Sequence, residues 1–414
     1  MNSLALLGWI VAAVLLQLGV FLALSFARHW TRYRQLQQGA PEAKIALPPR
    51  AAASGGPATP AWAGLRRFRV TRRVAEDPAE SVVSFHLAPE DHQLLPAFLP
   101  GQFLTFELDL DAGKADSRPA IRCYSLSAAP QPDHYRISVK RVPGGLVSGH
   151  LHNSVQVGST LQVRAPAGRF VVDAGSWPLV LLAGGIGITP LLSMASAMLS
   201  AEPGREVWLF YGVRSGQDCA LRQELQALAT AHDNFHLHLC FSDPLPDDIT
   251  GPGGLHRGRI SLDQLRLLLP LKPFHFFICG PAPMMESLVA GLEDWGVTGD
   301  RIHFEAFGPA SARRRVDGVA MTPGIDSGES PIQVTFAGSR RTVNWRTGIA
   351  NLLALAEDNG ISVPSGCRAG SCGSCQTAIT GGEVAYPQPP DFDPEPGSCL
   401  LCVSVPKTSV TLEA

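Results

Sequence analysis

The chain has 414 residues, 45% of them hydrophobic and 17% charged, with a formal net charge of −2. That length suggests about two to three domains, and the composition belongs to packed cores rather than a disordered chain. The small net charge, with no basic stripe carrying interleaved aromatics, argues against nucleic-acid binding. Nine cysteines without a regular pairing pattern argue against a disulfide scaffold and for a reducing compartment.

From Ser3 to Ala27 no residue is charged, and at about 1.5 Å per residue a helix of that length covers the roughly 30 Å hydrocarbon core of a bilayer. Arg28, Arg32 and Arg34 follow. A transmembrane anchor over 3–27 is therefore expected, with the arginine side and everything after it in the cytoplasm, at the inner membrane if the source is bacterial. A cleaved signal peptide is the rival, but the positive n-region is missing and the apolar stretch is too long. Residues 28–62 turn Ala/Pro/Gly-rich and read as a flexible tether.

Residues 63–174 hold short alternating segments such as Phe103-Leu104-Thr105-Phe106-Glu107-Leu108 and Tyr135-Arg136-Ile137-Ser138-Val139, separated by Pro/Gly turns. That is the pattern of an antiparallel β-barrel. Two strings within it suggest a flavin site: Arg122-Cys123-Tyr124-Ser125-Leu126-Ser127, and Val139-Lys140-Arg141 continuing to Gly145-Leu146-Val147-Ser148. An aromatic ring can cover an isoalloxazine face, a hydroxyl can bond its reactive edge, and arginine with a glycine-opened loop can hold phosphate. Alone, Arg and Tyr on a strand more often pack and solvate.

Residues 175–308 alternate strands with helices, the pattern of a Rossmann-like α/β domain with a parallel sheet. Pro178 to Ala183 reads as a buried strand, and Gly184-Gly185-Ile186-Gly187-Ile188-Thr189-Pro190 then opens an apolar helix from Leu191. This unit aims backbone N–H groups and a positive helix end at a pyrophosphate site, although it is not the G-x-G-x-x-G fingerprint. Cys279-Gly280-Pro281 follows the last strong apolar strand, at the carboxyl edge where open α/β sheets bind ligands. A small buried residue at a strand end is the plainer reading of Cys279.

A Pro/Gly/Ser-rich stretch with Arg313-Arg314-Arg315 links, over 309–330, to the last domain, 331–414. There Cys367, Cys372, Cys375 and Cys402 read C-x4-C-x2-C-x26-C, the spacing of a plant-type [2Fe–2S] cluster. Small residues between the first three let backbone N–H groups approach sulfur. Zinc usually takes paired C-x2-C elements, and one such pair is present. Cys399 competes with Cys402 as fourth ligand; Cys402 is preferred because it sits in an apolar run reading as a strand, which leaves Cys399 a buried thiol. Asp391, Asp393 and Glu395 read as a solvated loop in preference to a face that steers a basic partner. The histidines are scattered, so no oxygen-activating iron site is evident and the final electron acceptor lies elsewhere.

R-x-Y-S, G-G-x-G-x-T-P, C-G-P and C-x4-C-x2-C, in this order, resemble the ferredoxin-NADP reductase superfamily, and more narrowly the reductase components of bacterial oxygenases such as the phthalate dioxygenase reductase type. Hybrid-cluster-protein reductases and the reductase half of flavohaemoglobins resemble its flavin part. The resemblance covers about 65–308 and 331–414 and implies a barrel, an α/β domain and a β-grasp (α+β) ferredoxin domain. It implies flavin contacts from Arg122, Tyr124, Ser125, Leu126, Ser127, Val139, Lys140, Arg141, Gly145, Val147, Ser148 and Phe307. Gly184, Gly185, Gly187, Thr189, Pro190, Cys279, Gly280 and Pro281 would line the nicotinamide site, with Ser125, Thr189 and Cys279 nearest the reacting atoms. NADPH-using relatives place Ser-Arg after the strand that here ends Cys240-Phe241-Ser242-Asp243, so Asp243 puts a carboxylate where a 2′-phosphate needs a cation and favours NADH. Arg214 and Arg222 keep a phosphate pocket open. FAD and FMN both stay open, the Gly-x-x-Ser loop resembling the FAD-using branch.

The expectation is a membrane-anchored NADH-dependent flavin/iron–sulfur reductase serving an oxygenase, hydroxylase or desaturase. Reduction of quinone or of a nitrogen-oxide-handling protein is the alternative, and a non-enzymatic redox sensor a third.

Overall fold

The structure, a computed structural model, describes residues 61–110, 119–172, 177–248, 254–307, 332–346, 348–387, 390 and 392–414. The expected anchor, nearly all of the tether and the whole of the 309–330 linker lie outside the described residues, as does Asp391. Among the described residues no helix is long and apolar enough to cross a membrane.

Six antiparallel strands form the first unit: β1 Arg66–Ala75, β2 Val82–Pro89, β3 Phe103–Leu108, β4 Ala120–Ser125, β5 Tyr135–Lys140 and β6 Thr160–Val163, in the order β4-β3-β6-β1-β2-β5. A bridge between Leu126 and Ile137 ties the two outer strands, so the sheet curls into the expected barrel. Phe68, Phe85, Leu87, Leu104, Phe106 and Tyr135 fill its interior, where β-branched and aromatic side chains pack on the pleat. Between β5 and β6 lies helix α1, Leu146–Ser154.

The second unit is a six-stranded parallel sheet of β7 Leu179–Gly184, β8 Val207–Val213, β9 Phe235–Phe241, β10 Leu255–Arg257, β11 His275–Cys279 and β12 Ile302–Glu305, in the order β10-β9-β8-β7-β11-β12. Helices α2 Ile188–Ala201, α3 Arg222–Ala231, α4 Leu262–Leu268 and α5 Ala282–Asp294 connect the strands. Every residue of β7 is buried, as a central strand covered on both faces requires. The chain order reverses between β7 and β11, which opens a crevice at their carboxyl ends. The helix expected from Leu191 starts at Ile188, after a 3-10 turn over Gly185–Gly187.

In the third unit β13 Gln333–Phe336, β14 Arg341–Asn344, β15 Gln376–Gly381, β17 Ser398–Leu400 and β19 Val410–Leu412 form a mixed sheet ordered β14-β13-β19-β15-β17. Helix α6, Leu352–Asp358, packs its leucines on Val334, Phe336 and Leu412. The short β16 Val384–Ala385 and β18 Val405–Pro406 form a separate ribbon. A helix across a mixed sheet with parallel first and last strands is the expected α+β grasp.

Candidate functional site

On β4 the pleat sends Arg122 and Tyr124 to one face and Ile121, Cys123 and Ser125 to the other. Arg122 is exposed, its guanidinium held by the Ile121 carbonyl at 2.7 Å. Tyr124 is half-buried, edge-on to Phe106 at 5.6 Å, and burial pushes its phenol up to about 12, so the hydroxyl stays neutral. Ser125 and Leu126 are buried. Ser127 joins a hydroxyl chain, 2.8 Å from Ser138 Oγ, which lies 2.6 Å from Ser84 Oγ.

Val139 is buried, and its carbonyl accepts a 2.9 Å bond from His152 Nε2. Lys140 is exposed, and Arg141 Nη2 donates to Asn153 Oδ1 at 2.8 Å. Gly145 is the N-cap of α1, so the expected phosphate loop proves to be the opening turn of a helix, with Val147 and Ser148 buried in it. No acidic side chain occupies that turn, and free N–H groups at a positive helix end suit a flavin phosphate. A Cβ on Gly145 would stand 2.6 Å from Ser148 Oγ and 3.0 Å from the Val142 carbonyl.

The crevice between β7 and β11 depends on missing side chains. A Cβ on Gly187 would lie 2.1 Å from the Cys279 carbonyl oxygen, one on Gly280 2.9 Å from Gly184 Cα, and one on Gly184 2.7 Å from both Pro281 Cδ and Met284 Sδ. Gly185 has φ +52 with open space beyond it. The two loops therefore meet backbone to backbone, which leaves N–H groups exposed for a pyrophosphate to approach. Thr189 is buried and its hydroxyl donates to the Ile186 carbonyl at 3.0 Å, so it fixes the turn; Pro190 follows in the first turn of α2. Cys279 is wholly buried, and burial followed by the Glu305 charge pushes its thiol well up. Glu305 sits opposite Cys279 in the β11–β12 register, and no motif marks it in the sequence. Phe307, just past β12, is 43% exposed.

At the end of β9 Asp243 is highly exposed and its Oδ2 lies 3.7 Å from Arg214 Nη2. Arg222 sits over the Phe241 ring at 5.9 Å.

The four expected ligand cysteines come together as two pairs. Cys375 and Cys402 have their sulfurs 3.1 Å apart, and the Cys367 backbone N–H donates to Cys372 Sγ. Neighbouring thiols pull Cys372 down, Cys123 first and then Cys367, and Cys402 pulls Cys375 down, while Cys367 and Cys402 are pushed up. Crowded thiols of this kind shed protons when a metal takes their place. Two pairs of cysteines suit two irons with two thiolates each. Ala369 N and Ser371 N donate to Cys367 Sγ at 3.4 and 3.2 Å, and Cys367 N to Cys372 Sγ at 3.3 Å. Positive φ at Arg368, Gly370 and Gly373 turns those N–H groups inward. The residues fit a [2Fe–2S] cluster. Cys402 lies in a turn after β17 rather than in the strand expected there, while Cys399 is on the strand and wholly buried.

The cluster loop of the third unit seats against β4 of the first: a Cβ on Gly366 would stand 3.0 Å from Cys372 Sγ and 3.1 Å from Ile121 Cγ2. Arg169 Nη2 to Asp393 Oδ2, 3.1 Å, is a second contact between them, so Asp393 is not merely solvated.

Comparison with known proteins accounts for all three units. Residues 68–172 match the oxidoreductase FAD-binding domain, 181–290 the oxidoreductase NAD-binding domain and 334–407 the 2Fe-2S iron-sulfur cluster binding domain. The glycine betaine monooxygenase reductase subunit of Pseudomonas aeruginosa is 33% identical over 335 residues, which cover 78% of this chain and 89% of that protein. A flavohemoprotein of Rhodopirellula baltica is 38% identical over 257 residues, 60% of this chain and 62% of that protein, so the chain spans about three fifths of the flavohemoproteins it matches. Among solved structures, phthalate dioxygenase reductase, described as a modular structure for electron transfer from pyridine nucleotides to [2Fe-2S], aligns with a TM-score of 0.53 at 26% identity over 85% of this chain and 98% of that one.

Proposed function

The chain belongs to the oxygenase reductases of the ferredoxin-NADP reductase type that carry a C-terminal [2Fe–2S] domain, and we propose that it is the membrane-anchored, NADH-dependent member of an oxygenase system, passing electrons to a separate metalloenzyme. It is an NAD(P)H-dependent oxidoreductase with FAD, NAD and a [2Fe–2S] cluster as cofactors. Together these groups turn a two-electron hydride donor into a source of single electrons.

In this reading the protein contributes orientation rather than acid–base chemistry. Arg122 and the first turn of α1 bind flavin phosphate, Tyr124 covers the ring and Ser125 bonds its reactive edge. The glycine loops at Gly184–Gly187 and Gly280 admit the pyrophosphate of NADH, while Cys279 and Glu305 bound the end of the crevice at the reacting carbon. Thr189 holds the turn. Cys367, Cys372, Cys375 and Cys402 hold the cluster. The observation that carries the reading is the contact of β4, the strand bearing R-x-Y-S, with the cluster loop, where Gly366 lies between Ile121 and Cys372; it supports a short path from flavin to cluster. The uncharged run 3–27 with its flanking arginines supports an anchor that raises the local concentration near a membrane-bound partner.

Anaerobic titration of the full chain in detergent with NADH, followed by absorbance and low-temperature EPR, tests it. Bleaching of a flavin band together with a [2Fe–2S] signal is expected; flavin reduction without that signal would sink the electron path. Retention in carbonate-washed membranes tests the anchor separately. The similarity to flavohemoproteins favours one second reading, service to a nitrogen-oxide-handling acceptor or a quinone. Fast quinone-dependent NADH oxidation with no protein acceptor would favour it.

A further inference from the structure

Past the carboxyl ends of β8 and β9 two loops lie side by side, 214–218 and 242–248, and they carry the Arg214–Asp243 pair. The ladder of the two strands runs on into both loops. Ser242 N donates to the Val213 carbonyl at 3.0 Å and Asp243 N to the Arg214 carbonyl at 2.8 Å. Farther out the loops are joined by a side chain that belongs to no motif. Asp248 Oδ2 accepts from Gly216 N of the opposite loop at 2.9 Å and from Leu245 N of its own loop at 2.7 Å. Its backbone N–H returns to the Leu245 carbonyl at 3.0 Å.

The surroundings are shaped around this carboxylate. Asp248 is 7% exposed, and a buried carboxylate is tolerated where N–H groups satisfy it through the short, strong bonds that an ionised acceptor makes. A Cβ on Gly216 would stand 2.2 Å from Asp248 Oδ1, so glycine lets the opposite backbone close onto it. Pro244 and Pro246 flank Leu245 and have no N–H, so Leu245 supplies the donor between them, and their fixed φ stiffens the loop. The opposite loop is also held, by a capping box in which Ser215 Oγ donates to Asp218 Oδ2 at 2.7 Å. Two stiff loops are thus hinged at the strand ends and latched at Asp248.

We propose that Asp248 is a positioning residue for binding of the nicotinamide nucleotide: by latching loop 242–248 to loop 214–218 it holds Arg214 and Asp243 at the spacing at which the ribose next to adenine meets them. The proposal rests on the nucleotide reading above. Asp248 touches no reacting atom. The reacting end of the crevice is built by other segments, at Gly187 after β7 and Cys279 at the end of β11. Opening the latch therefore weakens ground state and transition state alike, and the bound nucleotide still transfers its hydride at the same rate.

The test is stopped-flow reduction of the flavin by NADH in the full chain and in Asp248→Ala, Asp248→Asn and Gly216→Ala, with flavin content and Tm measured for each. Asp248→Ala should raise the apparent Kd for NADH roughly tenfold and leave the limiting rate within about twofold. Asparagine keeps one carbonyl oxygen that can accept from both N–H groups, so Asp248→Asn should return Kd to within about threefold of the wild type. Gly216→Ala keeps the carboxylate but forces it away from the Gly216 N–H, and Kd should rise there too. An unchanged Kd in a folded, flavin-loaded Asp248→Ala overturns the proposal, as does a lowered limiting rate with Kd unmoved, the mark of a merely structural role. A loss in Asp248→Asn equal to that of alanine overturns it as well, since the two bonds would not be what matters. Where Asp248→Ala fails to fold, Gly216→Ala decides on the same terms. A wild-type flavin that NADH does not reduce would instead fault the nucleotide reading itself.

Discussion

Arg136 of β5 and Glu224 of α3 meet in a two-pronged ion pair, Nη1 to Oε2 at 2.7 Å and Nη2 to Oε1 at 3.1 Å. The Arg136 side chain is 10% exposed and that of Glu224 34%. Arg136 also donates from Nε to Ser127 Oγ at 3.1 Å and from Nη2 to the Ser127 carbonyl. One guanidinium thus ties the parallel-sheet unit to the end of the R-x-Y-S-L-S segment. Glu224→Gln leaves a nearly buried cation half-paired, and the partial exposure of Glu224 holds the cost to about 1–3 kcal/mol. Because hydride transfer depends on the relative placement of the two units, the rate of flavin reduction by NADH should fall at least tenfold, with the cluster EPR signal unchanged. Stopped-flow absorbance checks this; an unaltered rate would show that other contacts suffice to align the units.

Asp243 engages Arg214 twice, by the side-chain pair and by its own N–H to the Arg214 carbonyl at 2.8 Å. The carboxylate therefore occupies the nearest guanidinium and repels a 2′-phosphate. Asp243→Ser should raise kcat/KM for NADPH about tenfold, equivalent to about 1.4 kcal/mol, and lower that for NADH several-fold through loss of a ribose contact. Steady-state kinetics with both nucleotides give the ratio. An unchanged ratio would place the choice of nucleotide elsewhere in the crevice.

Elements carried by local pattern were legible in the sequence. The strand expected at Phe103–Leu108 is β3 to the residue, and the run from Pro178 to Ala183 is β7 shifted by one position. The spaced cysteines lie as two pairs, Cys375 with Cys402 and Cys367 beside Cys372. Legibility stopped where contacts join residues far apart in the chain. Ile121 and the cluster loop at Gly366 are brought together by the docking of two units, which no periodicity encodes. Asp393 looked like a free carboxylate because Arg169 is distant in sequence. Cys402 looked like a strand residue because its neighbours are apolar, yet those side chains are buried around a turn beside Cys375. The Gly145 loop looked open because the helix it caps runs through polar Gly, His and Asn residues rather than a clear apolar stripe.

The two candidate fourth ligands can be separated. Cys402 Sγ lies 3.1 Å from Cys375 Sγ, whereas Cys399 is wholly buried on β17. Cys402→Ser should reduce cluster occupancy several-fold or shift its EPR signal, since oxygen replaces sulfur on iron. Cys399→Ser should keep the wild-type signal and cost about 1 kcal/mol of stability for a buried polar exchange. Iron content and EPR of the two variants decide. Loss of the signal in Cys399→Ser alone would reverse the ligand assignment.

His238 connects the parallel sheet to acid stability. Its ring is stacked 4.6 Å from Phe210 and 5.8 Å from Trp208, and its Nδ1 lies 2.9 Å from His256 Nε2. Burial lowers its pKa to about 4, with smaller contributions from His256 and His236. An unfolded histidine titrates near ~6.5, so between pH 6.5 and 4 the unfolded chain binds a proton that the folded one refuses. Stability from this residue is complete above pH 6.5 and drains away as pH falls toward 4. His238→Phe preserves the stacking and removes the titration, so its melting temperature should decline less steeply than that of the wild type across that window. Acid loss of the cluster affects both proteins alike, and the difference between their Tm profiles isolates the histidine. Parallel profiles would mean that the folded ring accepts its proton at the ordinary pH.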